Sequence, residues 1–196
     1  MAAIVRNCQN LSESSYGSVS NAAYCVSELL LHQVDGVAPT LSSQMIAAIL
    51  EQFVRLTANV PLTADMRNMV ENIILAAGAI MNDQPNVLTQ ITFDGETVQR
   101  FVKVWLQYMR SIKNLGDIKD NAVRGMLLQL QQNSQILSQY PHLFCDLALS
   151  LDRSPADIRA AVQSILQGLK AGYGQGWDQI LKGYVQREAL WRCYGL

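Results

Sequence analysis

Apolar residues recur with a helical period along almost the whole chain, and this feature restricts its fold more than any other. The clearest run places six apolar side chains on one stripe, at steps of three and four residues: Val98, Phe101, Val102, Trp105, Met109 and Ile112. Shorter runs of the same kind lie at 123–130 and 158–169. No segment alternates apolar and polar residues with β-branched enrichment, as strands would require. The pattern predicts an all-α protein.

Breaks between the predicted helices fall about every 15 to 25 residues, which is typical of medium-length helices with short connections. Asp94-Gly95-Glu96 precedes one helix, where acidic groups face the positive end of the helix dipole. Ser154-Pro155-Ala156-Asp157 predicts an N-cap serine, a proline in the first turn and a carboxylate that reaches back to the cap. The predicted helices span residues 17–33, 39–58, 64–82, 95–113, 117–132, 135–150, 154–170, 174–182 and 185–193.

The composition excludes several classes of protein. Hydrophobic residues make up 49% of the 196 residues and charged residues 16%, whereas a disordered chain needs low hydrophobicity and high net charge. A formal net charge of −1 gives no electrostatic bias toward nucleic acid or anionic lipid. No stretch approaches the ~20 apolar residues of a membrane-spanning helix, and the first ten residues lack the pattern of a signal peptide. We therefore expect neither nucleic acid nor a membrane as a direct partner.

The sequence contains no recognisable catalytic or metal-binding motif. Its four cysteines are widely spaced and only His32 and His142 accompany them, so no zinc-ligand pattern can be assembled. Cys25 and Cys145 lie within apolar helical patterns, which predicts small core residues. There is no P-loop and no HExxH or GxSxG motif, and the glycines of 172–176 follow a predicted helix rather than a strand. We expect no catalysis, no cofactor and no metal.

Three short strings, each opening an apolar helix with an asparagine, indicate an internal repeat. They begin at Asn21, Asn72 and Asn121, at spacings of 51 and 49 residues. Helix pairs that recur at ~40–50 residues are typical of HEAT and armadillo solenoids, in which neighbouring pairs bury each other's apolar faces. The alternative is an ordinary helical bundle with three coincidental strings.

Several strings, in order along the chain, resemble the C-terminal part of transportin-type nuclear import receptors of the karyopherin-beta (importin-beta) family. Residues 21–28, Asn-Ala-Ala-Tyr-Cys-Val-Ser-Glu, are similar to that family's Asn-Ala-x-Trp-Ala-Ile-Gly-Glu helix. Glu71-Asn72 followed by Ala77-Gly78 is similar to its Glu-Asn-x-x-Ile-x-x-Gly helix. Further matches are Phe144-Cys145-Asp146, Asp157-Ile158-Arg159, Ile165 to Lys170, Trp177, Arg187-Glu188 and Tyr194-Gly195-Leu196.

The resemblance implies a HEAT-repeat superhelical solenoid with about four antiparallel helix pairs and a C-terminal cap. Residues 18–196 would be the C-terminal repeats of a longer receptor, and residues 1–17 the remnant of a truncated repeat. The implied function is nuclear import with shuttling between cytoplasm and nucleus, in which these repeats bind cargo signals of the proline-tyrosine type. Ran-GTP and nucleoporins would bind through an N-terminal part of the receptor that lies outside this sequence. The alternative function is a HEAT-repeat scaffold that assembles other protein subunits.

The resemblance also implies three cargo-binding residues. Tyr24 falls where the family has a tryptophan that packs against cargo, Asn72 falls on an inner-helix asparagine, and Leu75 falls on an apolar contact position one turn later. Tyrosine keeps an apolar ring face but adds a polar tip, so cargo preference is expected to differ. Each residue has a structural alternative: the repeat-opening asparagines bond between neighbouring repeats, and Tyr24 and Leu75 belong to the core.

Overall fold

A computed structural model describes residues 13–32, 42–59, 62–91, 93–113, 116–132 and 134–195. Throughout these ranges the regular structure is helical and no β-strand occurs. The described α-helices are α1 Glu13–Leu31, α2 Ser43–Asn59, α3 Arg67–Asp83, α4 Gly95–Met109, α5 Gly116–Gln132, α6 Pro141–Ser150, α7 Ala156–Tyr173, α8 Gly176–Lys182 and α9 Arg187–Tyr194. Short 3₁₀ segments span Ala64–Met66, Val87–Gln90 and Ser134–Gln139. The predicted all-α class is confirmed.

Several helix starts differ from the prediction: α1, for example, begins at Glu13 rather than at residue 17. Two of the differences are at a proline. The predicted helix 135–150 is divided into the 3₁₀ segment Ser134–Gln139 and α6, because Pro141 has no N–H and cannot continue a helix. At α7 the N-cap is Pro155, one residue later than the predicted serine cap at Ser154. The predicted start at Pro39, and residues 1–12 of the predicted truncated repeat, lie outside the described residues.

The start of α4 agrees with the prediction. Asp94 is the N-cap, and its carboxylate accepts hydrogen bonds from the Thr97 backbone N–H at 2.8 Å and from the Thr97 hydroxyl at 2.7 Å. Two donors therefore stabilise the charged form, and the pKa of the Asp94 carboxyl is held below its usual value by these bonds. The cap fixes where α4 begins.

The described residues form two compact units, divided between Met126 and Leu127 inside α5. In the first unit α1 packs against α3 and α2 packs against α4, so each helix contacts the helix two positions further along the chain. α2 and α4 also contact α3. Helices α1 and α3 therefore form one layer and α2 and α4 another, as in a HEAT-like helical solenoid. Residues 73–81 of α3, in the centre of this unit, are all buried.

Two glycines allow α3 and the first half of α5 to approach within backbone contact. A Cβ atom at Gly78 would overlap the backbone carbonyl of Ala122, and a Cβ atom at Gly125 would overlap the carbonyl oxygen of Gly78. The Asn82 side-chain amide on α3 donates to the Asn121 side-chain oxygen on α5 at 2.6 Å. Hence the part of α5 before Leu127 extends the layer of α1 and α3.

The second unit contains the last helices. α6 contacts α7, α8 and α9, and α7 packs against α8 and the segment Ser134–Gln139. Tyrosine hydroxyls connect these elements: Tyr184 donates to Asp146 and Tyr194 donates to the Ala148 carbonyl, each at 2.7 Å. α7 ends at Tyr173, and its C-cap is Gly174, whose φ of +52° favours glycine, so the predicted break in the glycine-rich segment is confirmed.

Candidate peptide-binding face on helix α1

Helix α1 has one buried face and one exposed face. The buried face, which includes Val19, Ala23, Val26 and Leu30, is at most 8% exposed. The exposed face contains apolar and aromatic side chains that the rest of the described first unit does not cover: Tyr24 is 39% exposed and Leu29 is 42% exposed. Asn21 and Cys25 are also exposed on this helix. An accessible ring and an accessible leucine on one helix are suited to binding an apolar or amphipathic segment.

A carboxylate completes this face. The Tyr24 hydroxyl donates to Glu28 Oε1 at 2.5 Å, and this hydrogen bond to Glu28 raises the pKa of the Tyr24 hydroxyl. The other carboxylate oxygen of Glu28 lies 3.2 Å from His32 Nε2. The three side chains follow each other at i and i+4, which places them on one line along the helix surface. The result is an aromatic ring with a carboxylate fixed at its hydroxyl end.

Asn72 connects two helices of the same layer. Its side-chain amide on α3 donates to the Ser20 hydroxyl at 2.9 Å and to the Ser20 backbone carbonyl at 3.3 Å on α1. Similarly, the Asn121 side-chain oxygen on α5 accepts a hydrogen bond from the Asn82 side-chain amide on α3. The structural alternative, hydrogen bonding between neighbouring repeats, is therefore what the described geometry shows for Asn72 and Asn121. Asn21 is exposed.

Leu75 belongs to the core of the first unit. Its side chain is 1% exposed within α3, between buried residues on both sides. A direct contact between Leu75 and a bound segment would require a rearrangement of this helix, and it stays a prediction. Of the three predicted residues, Tyr24 is accessible, Asn72 is half-buried and bonded to Ser20, and Leu75 is enclosed.

Sequence reasoning missed two residues of this face and misplaced a third. Glu28 and Leu29 had no assigned role, although their spacing from Tyr24 places Glu28 one helical turn away. Cys25 was predicted to be a core residue, but it is exposed. The same prediction is confirmed for Cys145, where burial raises the pKa of the thiol to about 12.

The second unit contains a separate groove of about 410 Å³ between α7 and the end of α9. Ala156, Arg159 and Gln163 line it from α7, with Asp152 before that helix and Cys193 from α9. It presents one carboxylate and one guanidinium, without the convergent set of donors that a small-molecule site usually has. Across the ranges that the structure describes, no three His, Cys, Asp or Glu side chains are grouped as metal ligands.

Comparisons with known proteins give a distant match. No family model matches the chain. The chain is similar to a protein described as "Transportin" from Dictyostelium discoideum, with 24% identity over 169 residues. The match covers 86% of this chain and 16% of that relative, so the chain spans about one sixth of the relative's length. No helix among the described residues is long and apolar enough to cross a membrane.

Proposed function

We propose that this chain provides cargo-binding HEAT repeats of a transportin-like nuclear import receptor, and that its cargo signals are of the proline-tyrosine type. The observation that carries the proposal is the similarity to Transportin, which extends over 86% of the chain. It is supported by the two-layer packing of helices α1 to α4, which is the arrangement that repeat receptors of this kind would need.

In this proposal Tyr24 on α1 contacts an apolar part of the signal. Its ring is 39% exposed, which leaves one face available for packing against a peptide side chain. Asn72 holds α1 beside α3 through Ser20, so it positions the Tyr24 helix and lies near the proposed path of the peptide. Leu75, which is enclosed within α3, stays a predicted contact position.

The proposal assigns binding and no catalytic step to the chain. The partners are the localisation signals of cargo proteins, and the receptor shuttles between cytoplasm and nucleus. Ran-GTP and nucleoporins are proposed as partners of the receptor through sequence outside these 196 residues. Affinity comes from an extended segment lying along the repeats, so single anchors contribute unequally to it.

The test is binding of a labelled proline-tyrosine signal peptide, with an intact apolar or basic N-terminal half, to the longer receptor that contains this chain, measured by fluorescence anisotropy. Tyr24→Ala should weaken binding by about 30-fold, because aromatic anchors in such patches are the residues whose truncation costs most. The matched control is Trp191→Ala, which removes an exposed aromatic ring from α9 and should leave affinity unchanged.

Circular dichroism of each variant establishes whether the helical content is intact. If wild type binds the signal peptide no better than a scrambled peptide, the proposed function is wrong. If wild type binds it and Tyr24→Ala keeps full affinity, the function stands and Tyr24 is not the anchor.

A further inference from the structure

The connection between α4 and α5 contains a serine that contacts a third helix. Ser111, half-buried just after α4, donates its hydroxyl proton to the Tyr108 carbonyl at 2.8 Å. The Ser111 oxygen also accepts a hydrogen bond, at 3.3 Å, from Nη2 of Arg67, the first residue of α3. Nε of the same arginine donates to Glu71 Oε1 at 2.8 Å. The carboxylate of Glu71 therefore orients the guanidinium while one of its terminal nitrogens points at the serine.

Other serines show that a contact with an arginine is not a general consequence of the local turn. Ser138 and Ser150 each donate to the carbonyl three residues earlier at 2.7 Å, as Ser111 does at 2.8 Å. Within the ranges that the structure describes, neither of their hydroxyl oxygens accepts a hydrogen bond from a basic side chain. The arginine at Ser111 is therefore supplied by the packing of α3 beside α4.

A second cation reaches the next residue of the same connection. The Lys119 ammonium on α5 donates to the Ile112 carbonyl at 2.8 Å, and it forms no ion pair with any described residue. Burial lowers the pKa of this ammonium, and the nearby negative charge of Asp120 offsets only part of the effect. The charged form of Lys119 is thus destabilised by lost hydration, and an anion placed beside it would stabilise it.

We propose that Ser111 is a phosphorylation site, and that its phosphate is held between Arg67 of α3 and Lys119 of α5. The inference concerns the first unit itself and does not depend on which cargo the chain binds. A protein kinase would transfer the γ-phosphoryl group of a nucleoside triphosphate to the Ser111 hydroxyl. The bond between Oγ and phosphorus forms, the bond to the β-phosphate breaks, the nucleoside diphosphate leaves and the hydroxyl proton passes to solvent.

The charges around the hydroxyl favour the phosphorylated form. A phosphoserine carries about −1.5 to −2 charge at pH 7 and adds three acceptor oxygens, which suits a guanidinium that already reaches the serine. Glu71 opposes this charge, but its carboxylate is paired with Arg67. The phosphate would connect α3, the end of α4 and α5, so the modification should stabilise the first unit.

The flanking residues suit the enzyme that would act here. Arg110 and Lys113 are exposed on either side of Ser111. Two basic side chains beside the acceptor hydroxyl complement a kinase whose substrate groove is acidic. The connection follows the end of α4, so the acceptor lies outside the regular helix.

The experiment compares chain 1–196 with a phosphate on Ser111, with a phosphate on Ser150 instead, and without phosphate; genetic code expansion introduces each phosphoserine. Titration followed by ³¹P NMR measures the second pKa of the phosphate, ordinarily about 6. The phosphate on Ser111 should titrate about one pH unit below the phosphate on Ser150, because adjacent cations stabilise the dianion. It should also raise the melting temperature by about 2–4 °C, which the phosphate on Ser150 should not do.

Variants identify the two cations. Arg67→Gln and Lys119→Gln should each reduce the difference between the two phosphate pKa values by about half, because each removes one neighbouring positive charge. Arg187→Gln on α9 makes the same change in net charge and should leave the difference unchanged. Every variant is measured with and without the phosphate, so the effect of the substitution alone on stability cancels.

A kinase reaction tests whether the hydroxyl can be reached in the folded chain. With ATP and protein kinase C, which modifies serines flanked by basic residues, mass spectrometry should find phosphate on Ser111 before Ser138 or Ser150. The double variant Arg110→Gln/Lys113→Gln should slow this reaction about fivefold.

Three outcomes would overturn the inference: Ser111 stays unmodified by the kinase, its phosphate titrates like the phosphate on Ser150, or its phosphate lowers the melting temperature. A pKa difference that survives Arg67→Gln and Lys119→Gln together would also overturn it. Binding of the signal peptide to the longer receptor is a separate measurement, so the phosphorylation site and the proposed function can fail independently.

Discussion

The close approach of α3 and α5 predicts that an added methyl group between them lowers stability, and a glycine elsewhere in the chain offers a matched control. At Gly78 a new Cβ atom would lie 2.8 Å from the carbonyl carbon of Ala122, whereas ordinary van der Waals contact begins at 3.4 Å, so the helices must separate by at least about 0.6 Å. The obstructing atoms are backbone atoms and cannot move aside as a flexible side chain would. Gly78→Ala should therefore destabilise the first unit.

The magnitude follows from three effects. Overpacking by a methyl group costs about 1–3 kcal/mol. Separation of the helices also lengthens the 2.6 Å hydrogen bond between Asn82 and Asn121, whose loss costs about 1 kcal/mol. Alanine is better than glycine inside a helix by about 1 kcal/mol, which offsets part of this cost. We expect a net loss of about 2 kcal/mol in the free energy of unfolding, and at least as much for Gly125→Ala.

The control is Gly168→Ala in α7, where nothing lies within 4 Å of the added Cβ atom. Here only helix propensity changes, so the variant should be more stable than wild type by about 1 kcal/mol. Urea unfolding followed by far-UV circular dichroism measures all three variants. The reasoning is refuted if Gly78→Ala is as stable as wild type, or if it gains stability as Gly168→Ala does.

Three further measurements check other contacts. Asp94→Asn should lower the melting temperature above pH 4. The difference from wild type should shrink as the pH falls below the usual aspartate pKa of 3.8 and vanish below the lowered pKa of folded Asp94, because the carboxylate stabilises the fold only while it is charged. A double-mutant cycle between Asn72→Ala and Ser20→Ala should give a coupling of about 1 kcal/mol, and additive effects would contradict the observed hydrogen bond. With a thiol reagent at pH 8, mass spectrometry should find Cys25 labelled rapidly and Cys145 only on unfolding, since a buried thiol with a pKa raised to about 12 is almost entirely protonated.

Helix periodicity was sufficient to predict the fold class because burial in a helical protein follows the repeat of the helix itself. Of the six residues in the predicted apolar stripe that begins at Val98, all except Val98 are buried. The last of them, Ile112, lies just after α4. The prolines and the Asp94 cap act locally, so the sequence around them predicts helix starts to within a few residues. These features depend on residues that are close in the sequence rather than on residues that are far apart in it.

Burial at the edge of a layer could not be predicted in this way. Cys25 and Cys145 both lie in apolar helical runs, yet the first is exposed and the second is buried. The difference depends on which helices lie alongside: α1 packs mainly on α3, whereas α6 is contacted by α7, α8 and α9. Hydrophobicity along one helix does not encode the number of its neighbours, so tertiary packing decides which apolar residues remain accessible.

The contacts of the candidate site are local in the sequence, whereas those of Arg55 on α2 are partly distant. Tyr24 and Glu28 are one turn apart, so their hydrogen bond could have been inferred from spacing alone. Glu51 and Arg55 have the same spacing on α2, but the ring over Arg55 comes from Phe93, beyond the whole of α3. Only the structure shows that α2 has its arginine, carboxylate and ring together.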